Sequence, residues 1–82
     1  MKYRIMLFAT LKMKAGSDSL DVEVPGDSAT VADVISAAVK AKPQLESSLR
    51  TMVVAVNKEF ANKDQVVSEG DAIAFFPPVS GG

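Results

Sequence analysis

The sequence predicts an α+β domain in which one main helix covers one face of a small sheet, and three observations carry that expectation. Val31, Val34, Ile35, Ala38 and Val39 recur at the i, i+3, i+4, i+7, i+8 spacing of a single helical face. Leu20, Val22 and Val24 alternate with Asp21 and Glu23, as in a half-buried strand. Two compact apolar runs, 52–56 and 72–76, are bounded by turn residues. Eighty-two residues allow one core only. We place the domain at 1–76 and an extended C-terminal tail, ending in Gly-Gly, at 77–82.

The first strand is expected over 2–11, with Tyr3, Ile5, Leu7, Ala9 and Leu11 on one face and Lys2, Arg4, Met6, Phe8 and Thr10 on the other. Gly16-Ser17-Asp18 then marks a turn, and the strand at 20–24 completes a hairpin through a short polar loop. Pro25-Gly26-Asp27 ends that strand. Thr30 is placed as a helix N-cap, with Asp33 three residues on where a capping-box acid sits. The helix is expected over about 31–42, with Lys40 and Lys42 near its negative pole and Pro43 disfavouring its continuation. Leu45 and Leu49 seat a short helical turn. Residues 52–56 read as a strand buried on both sides, Asn57-Lys58-Glu59 as a turn, and Phe60 as part of a short edge strand. Ser68-Glu69-Gly70-Asp71 forms a second turn before the last strand at 72–76. Pro77 and Pro78 stop that strand because neither can donate to a ladder.

Composition removes several classes of function. The chain is 48% hydrophobic and 23% charged with a formal charge of −1, so it lacks the basic surplus of a nucleic-acid-binding domain. It contains no cysteine and no histidine. That excludes disulfides, Ser-His and Cys-His catalysis, and zinc held by Cys or His. Asp64, Glu69 and Asp71 are dispersed turn acids, and no metal site is expected from them. The charged and apolar N-terminal stretch lacks a small-residue cleavage site and reads as a strand. No run reaches the ~18 apolar residues of a membrane span, and a cytoplasmic location is expected.

Chemistry is concentrated in Pro77-Pro78-Val79-Ser80-Gly81-Gly82. The proline pair favours a stiff, extended exit from the last strand. Val79 to Gly82 can then reach about 14 Å. Gly81 and Gly82 lack Cβ atoms and can enter a channel too narrow for side chains. An α-carboxylate at Gly82 is ionised at neutral pH and can attack the α-phosphate of ATP once an enzyme brings the two together. Consecutive strand residues face opposite ways. Phe75, in phase with Ile73, is therefore expected in the core, and Phe76 on the far face with Ala72 and Ala74. If the first and last strands are neighbours, Phe76 joins Phe8 and Met6 in an exposed apolar patch suited to a protein partner.

The ending Phe75-Phe76-Pro77-Pro78-Val79-Ser80-Gly81-Gly82 closely resembles that of molybdopterin synthase small subunits. Leu7-Phe8-Ala9, Ala55-Val56-Asn57 and Glu69-Gly70-Asp71 are weaker likenesses, and the whole chain is similar in length and element order. The resemblance implies the ubiquitin-like β-grasp fold, a small mixed sheet covered on one face by one main helix. It also implies a sulfur carrier: an E1-like adenylating enzyme uses ATP to activate the Gly82 carboxylate, and a sulfur donor or desulfurase system makes the thiocarboxylate. The tail then enters the large synthase subunit, where sulfur passes to a pyranopterin precursor of the molybdenum cofactor. No cofactor is bound by the chain itself, catalytic side chains belong to the partners, and two small subunits join two large ones. By the same likeness Gly82 is the reacting residue, while Phe8, Lys12, Phe76, Pro77, Pro78, Val79, Ser80 and Gly81 contact partners. Such subunits commonly carry Arg-Glu after the first strand; here the pair is Lys12-Met13, which keeps the charge without arginine's bidentate fork. Related carriers serving thiamine, tRNA thiolation or cysteine synthesis share this tail chemistry. A ubiquitin-like protein modifier forming isopeptide bonds, and a plain interaction module, are the readings from other classes.

Overall fold

The computed structural model describes residues 1–49 and 51–77. Strand β1 (Lys2–Leu7) leads through helix α1 (Thr10–Ala15) to β2 (Ser19–Glu23), the two-residue β3 (Ala29–Thr30) and the main helix α2 (Val31–Ala41). A 3-10 turn (Pro43–Leu45) and the short α3 (Glu46–Leu49) follow, then β4 (Val53–Val56), β5 (Glu59–Ala61), β6 (Val66–Val67) and β7 (Ile73–Phe76). Five strands form a sheet in the order β2-β1-β7-β4-β5. The central pair β1 and β7 runs parallel, with Ile5 opposite Ile73 and Leu7 opposite Phe75, and the other pairs are antiparallel. β3 and β6 pair separately. A mixed sheet crossed on one face by a single main helix is the β-grasp arrangement.

Helix α2 starts where the capping chemistry requires. The Asp33 N–H donates to Thr30 Oγ1 at 3.3 Å, and the Thr30 N–H donates to Asp33 Oδ2 at 3.0 Å, satisfying two otherwise orphaned donors. Val31, Val34 and Ala38 are buried, with Ile35 and Val39 packed partly against the core. The helix closes at Ala41, and Lys42 is its C-cap. Ile5, Leu7, Leu11, Leu45, Ile73 and Phe75 complete the centre of the core. Val54, Ala55 and Val56 are all buried.

The first strand is shorter than its alternation suggested. It ends at Leu7; Phe8 still donates its N–H to the Phe75 carbonyl, but Ala9 turns the chain with φ 51°. Leu11 is buried in the core as expected, from a helix instead of a strand. Leu11 and Ala15 stand four residues apart on the buried face of α1. Gly16, at φ 78°, ends that helix in the left-handed conformation, its N–H donating to the Lys12 carbonyl at 3.0 Å. The glycine signal was correct, but it marks a helix end within what had read as a polar loop. Glu59 belongs to β5, so the β4–β5 turn is the two residues Asn57 and Lys58. Both have positive φ, 52° and 72°, the geometry whose twist matches a two-residue hairpin.

Candidate functional site

Because β7 lies between β1 and β4, whatever follows Phe76 leaves from the middle of the sheet. Phe75 is wholly buried and Phe76 half-buried, in line with their opposite facing on the strand. The Leu7–Phe75 register sets Phe8 beside Phe76. Their rings stack with centroids 4.7 Å apart and planes 8° from parallel, within the favourable range for aromatic pairs. Met6 lies on the same face of β1 as Lys2 and Arg4, and opposite Ala74. Met6 is 41% exposed and Phe8 40%, so the stack stays open to contact and forms, with Met6, an apolar patch on the face of the sheet away from α2.

The loop before β7 is fastened more firmly than its composition indicated. The Asn57 N–H donates to the Ala72 carbonyl at 2.7 Å, and Asn57 Oδ1 accepts from the Ala72 N–H at 2.9 Å. Asn57 Nδ2 also donates to Asp71 Oδ1 at 3.1 Å, while Asp71 Oδ2 accepts from the Ser68 N–H at 2.8 Å. Asn57 and Asp71 read from sequence as turn residues and as parts of the weaker family likenesses. Together they fix the approach of β7 from the β4 side, and Asn followed by Lys in a two-residue turn was the available hint. On the other side, Glu69 Oε2 accepts the Lys2 N–H at 2.7 Å.

Lys12 lies exposed on α1, four residues after Phe8 in sequence, rather than in a loop. Its neighbour Lys14 donates from Nζ to Ser48 Oγ at 2.7 Å, tying α1 to α3. Arg4 Nε and Asp21 Oδ1 form an ion pair at 3.0 Å with both side chains 71% exposed, a setting in which such pairs contribute little. Tyr3 is buried with its hydroxyl 3.3 Å from the Val67 carbonyl. Burial, and then the charges of Asp71, Glu69 and Asp33, push its phenol above the ordinary value of 10.0. Among the described residues no group of His, Cys, Asp or Glu is placed to hold a metal ion, and no helix is long and apolar enough to cross a membrane.

The structure thus brings together Phe8 and Phe76, with the half-buried Pro77 immediately after. Pro78, Val79, Ser80, Gly81 and Gly82 lie outside the described residues. What the described part offers is an exposed aromatic surface beside Pro77 at the end of β7.

Comparisons with known proteins cover this whole arrangement. The ThiS family model matches residues 5–82. The chain is 37% identical to the molybdopterin synthase sulfur carrier subunit of Dictyostelium discoideum over 83 residues, covering 99% of this chain and 96% of the relative. It is 43% identical to the small archaeal modifier protein 1 of Haloferax volcanii, covering 93% and 95%. The crystal structure of that archaeal protein superposes with a TM-score of 0.86 at 40% identity, covering 100% of both chains. With its ubiquitin-like β-grasp fold and a match from β1 through the tail, the chain belongs to the ThiS family.

Proposed function

We propose that the chain is the sulfur carrier of a molybdopterin synthase, with the Gly82 carboxylate as the carrying group. The observation that carries this reading is the likeness to sulfur carrier subunits across the chain, together with a family match that runs to Gly82. A carboxylate oxygen of Gly82 attacks the α-phosphate of ATP on an E1-like enzyme, and pyrophosphate leaves. Hydrosulfide, sulfur at the sulfide level released by a donor or desulfurase system, then attacks the acyl carbon, loses its proton and displaces AMP, leaving a thiocarboxylate. The large synthase subunit takes in Val79 to Gly82, and sulfur passes to the pyranopterin precursor. Phe8 and Phe76 seat the partner, Pro77 and Pro78 hold the tail extended, and Lys12 meets partner carboxylates. The missing Cβ atoms of Gly81 and Gly82 let the tail pass through a narrow channel. The side chains that catalyse these steps belong to the partners; the assembly is a cytoplasmic heterotetramer of two small and two large subunits.

A second reading is favoured by the 43% identity to an archaeal protein named as a modifier. The same acyl-adenylate attacked by a lysine amine gives an isopeptide bond, and one carrier can in principle feed both reactions. Intact-mass spectrometry of the chain, incubated with ATP, the activating enzyme and a sulfur donor, separates the two. Exchange of one oxygen for sulfur, mapped to Gly82, supports the carrier, and assay with the large subunit assigns its pathway. Gly82 joined to lysines of other proteins, without thiocarboxylate, points to the modifier. An unchanged mass under all these conditions overturns both.

A further inference from the structure

The sheet has an open edge at β2, since only β1 pairs with it among the described residues. Met1 and Val24 exchange both backbone bonds, and the Leu7 N–H donates to the Asp18 carbonyl. In an antiparallel ladder that phase makes Tyr3–Val22 and Ile5–Leu20 the bonded pairs. The N–H and C=O groups of Asp21 and Glu23 therefore point away from β1 into the open edge. Beside them runs a groove of about 570 Å³, floored by Val22 and Val24 and walled by Ser36, Ala37 and Ala41 of α2. Small side chains on the helix wall leave room there for the side chains of an incoming strand.

We propose that this edge binds an extended segment of a partner protein as an added strand. Alternate apolar residues of the segment face the groove, and a lysine or arginine stands beside Glu23. The charges select this occupant. Asp33 and Lys40 line the groove, and Asp21 and Glu23 stand on the strand at its rim, on the face of the sheet shared with Lys2 and Arg4. Asp21 is already paired with Arg4, and Glu23, opposite Lys2 in the register, forms no ion pair among the described residues, which leaves it for a cation of the segment. A second copy of the chain fits poorly, because antiparallel pairing of two β2 strands about Asp21 sets like charges opposite each other. Strand addition supplies affinity through main-chain bonds and specificity through alternate side-chain pockets. β1 separates β2 from β7, and the groove lies on the α2 side of the sheet. An edge-bound segment thus leaves Phe8 and Phe76 uncovered, and this surface is independent of the sulfur-carrier reading.

The test is an amide-resolved NMR titration of the full chain with a synthetic peptide of alternating lysine and valine, and with the same peptide carrying glutamate for lysine. The expected result is saturable shifts at Asp21, Glu23 and Ala37, with slowed exchange of the Asp21 and Glu23 amides, for the lysine peptide alone. Glu23→Pro removes an outward N–H that the β1–β2 ladder does not use, a position where an edge strand tolerates proline. It should weaken binding about tenfold or more while the far-ultraviolet dichroism stays unchanged. Should that variant fail to fold, Glu23→Lys is expected to fold, lose the lysine peptide and accept the glutamate one. Equal response to both peptides, no response, shifts confined to Met6, Phe8 and Phe76, or unchanged binding in the folded variants overturns the proposal. Concentration-dependent shifts of the same amides without peptide would assign the edge to a second copy and overturn it too.

Discussion

Tyr3 places a titratable group where ionisation is unfavourable. Its ring is buried on β1, its hydroxyl reaches the Val67 carbonyl, and Asp71, Glu69 and Asp33 oppose a phenolate. A phenol raised in the folded state leaves stability intact below its unfolded value near 10.0. Above that value the unfolded chain loses the proton first, so stability falls as pH climbs through the raised folded value. Lysines titrate in the same range, so the useful quantity is a difference between two proteins. Tyr3→Phe should cost about 1 kcal/mol at neutral pH through the lost hydrogen bond, and its alkaline decline should be shallower than that of the parent. Urea denaturation of both proteins on either side of pH 10.0 measures this, and parallel declines would remove Tyr3 from the account. Asn57 is the other residue with a large local effect. Asn57→Ala deletes the side-chain bonds to Ala72 and Asp71 and leaves a Cβ-bearing residue with less support for positive φ. A loss of about 2 kcal/mol is expected from the two bonds, and amide exchange at Ala72 and Asp71 should accelerate more than exchange within α2.

Among the elements, α2 depends most visibly on its first turn. Thr30→Ala removes the Oγ1 acceptor for the Asp33 N–H while leaving every core residue in place. The expected cost is about 1 kcal/mol, seen as a lower thermal midpoint with unchanged dichroism; an unchanged midpoint would show that water replaces the cap without loss. This cap, the apolar face behind it and the alternation of β2 were all legible because each is a local pattern with one fitting geometry. Helix α1 was not. Its six residues are too few to establish a helical period, and its buried members Leu11 and Ala15 are also compatible with an extended chain. Only the turn at Ala9 and the space beside Leu45 decide between them. β3 and β6 have two residues each and form because they meet each other, a contact no local pattern encodes. The aromatic patch was readable as far as strand phase allows. That Phe8 and Phe76 stack face to face depends on the parallel β1–β7 pairing, which is a property of the whole sheet.

At the scale of the molecule, the core and the proposed carrying group are separable, and mutation should show it. Val34 is 1% exposed, on the buried face of α2. An aspartate there brings a carboxylate into a core that holds no buried polar or charged residue among the described residues. The penalty of several kcal/mol for an unpaired buried ion is comparable to the entire stability of a domain this small. Val34→Asp should therefore be unfolded at neutral pH, lacking cooperative melting and slow-exchanging amides. Gly82 is six residues beyond Phe76, the last residue of β7. Gly82→Ala, and likewise Gly81→Ala, should melt within about 0.5 kcal/mol of the parent, as surface changes away from special features do. If sulfur travels on the tail through a narrow channel, the added methyl group lowers transfer to the large subunit even though the fold is intact. Calorimetry and a sulfur-transfer assay on the same preparations decide the matter. A Gly82→Ala chain that melts normally and transfers at the parental rate rules out the narrow-channel account of the glycines. If transfer falls and the chain also gains no thiocarboxylate under activating conditions, the block lies earlier, at activation of the carboxylate. Loading that proceeds normally while transfer fails assigns the constraint to the large subunit.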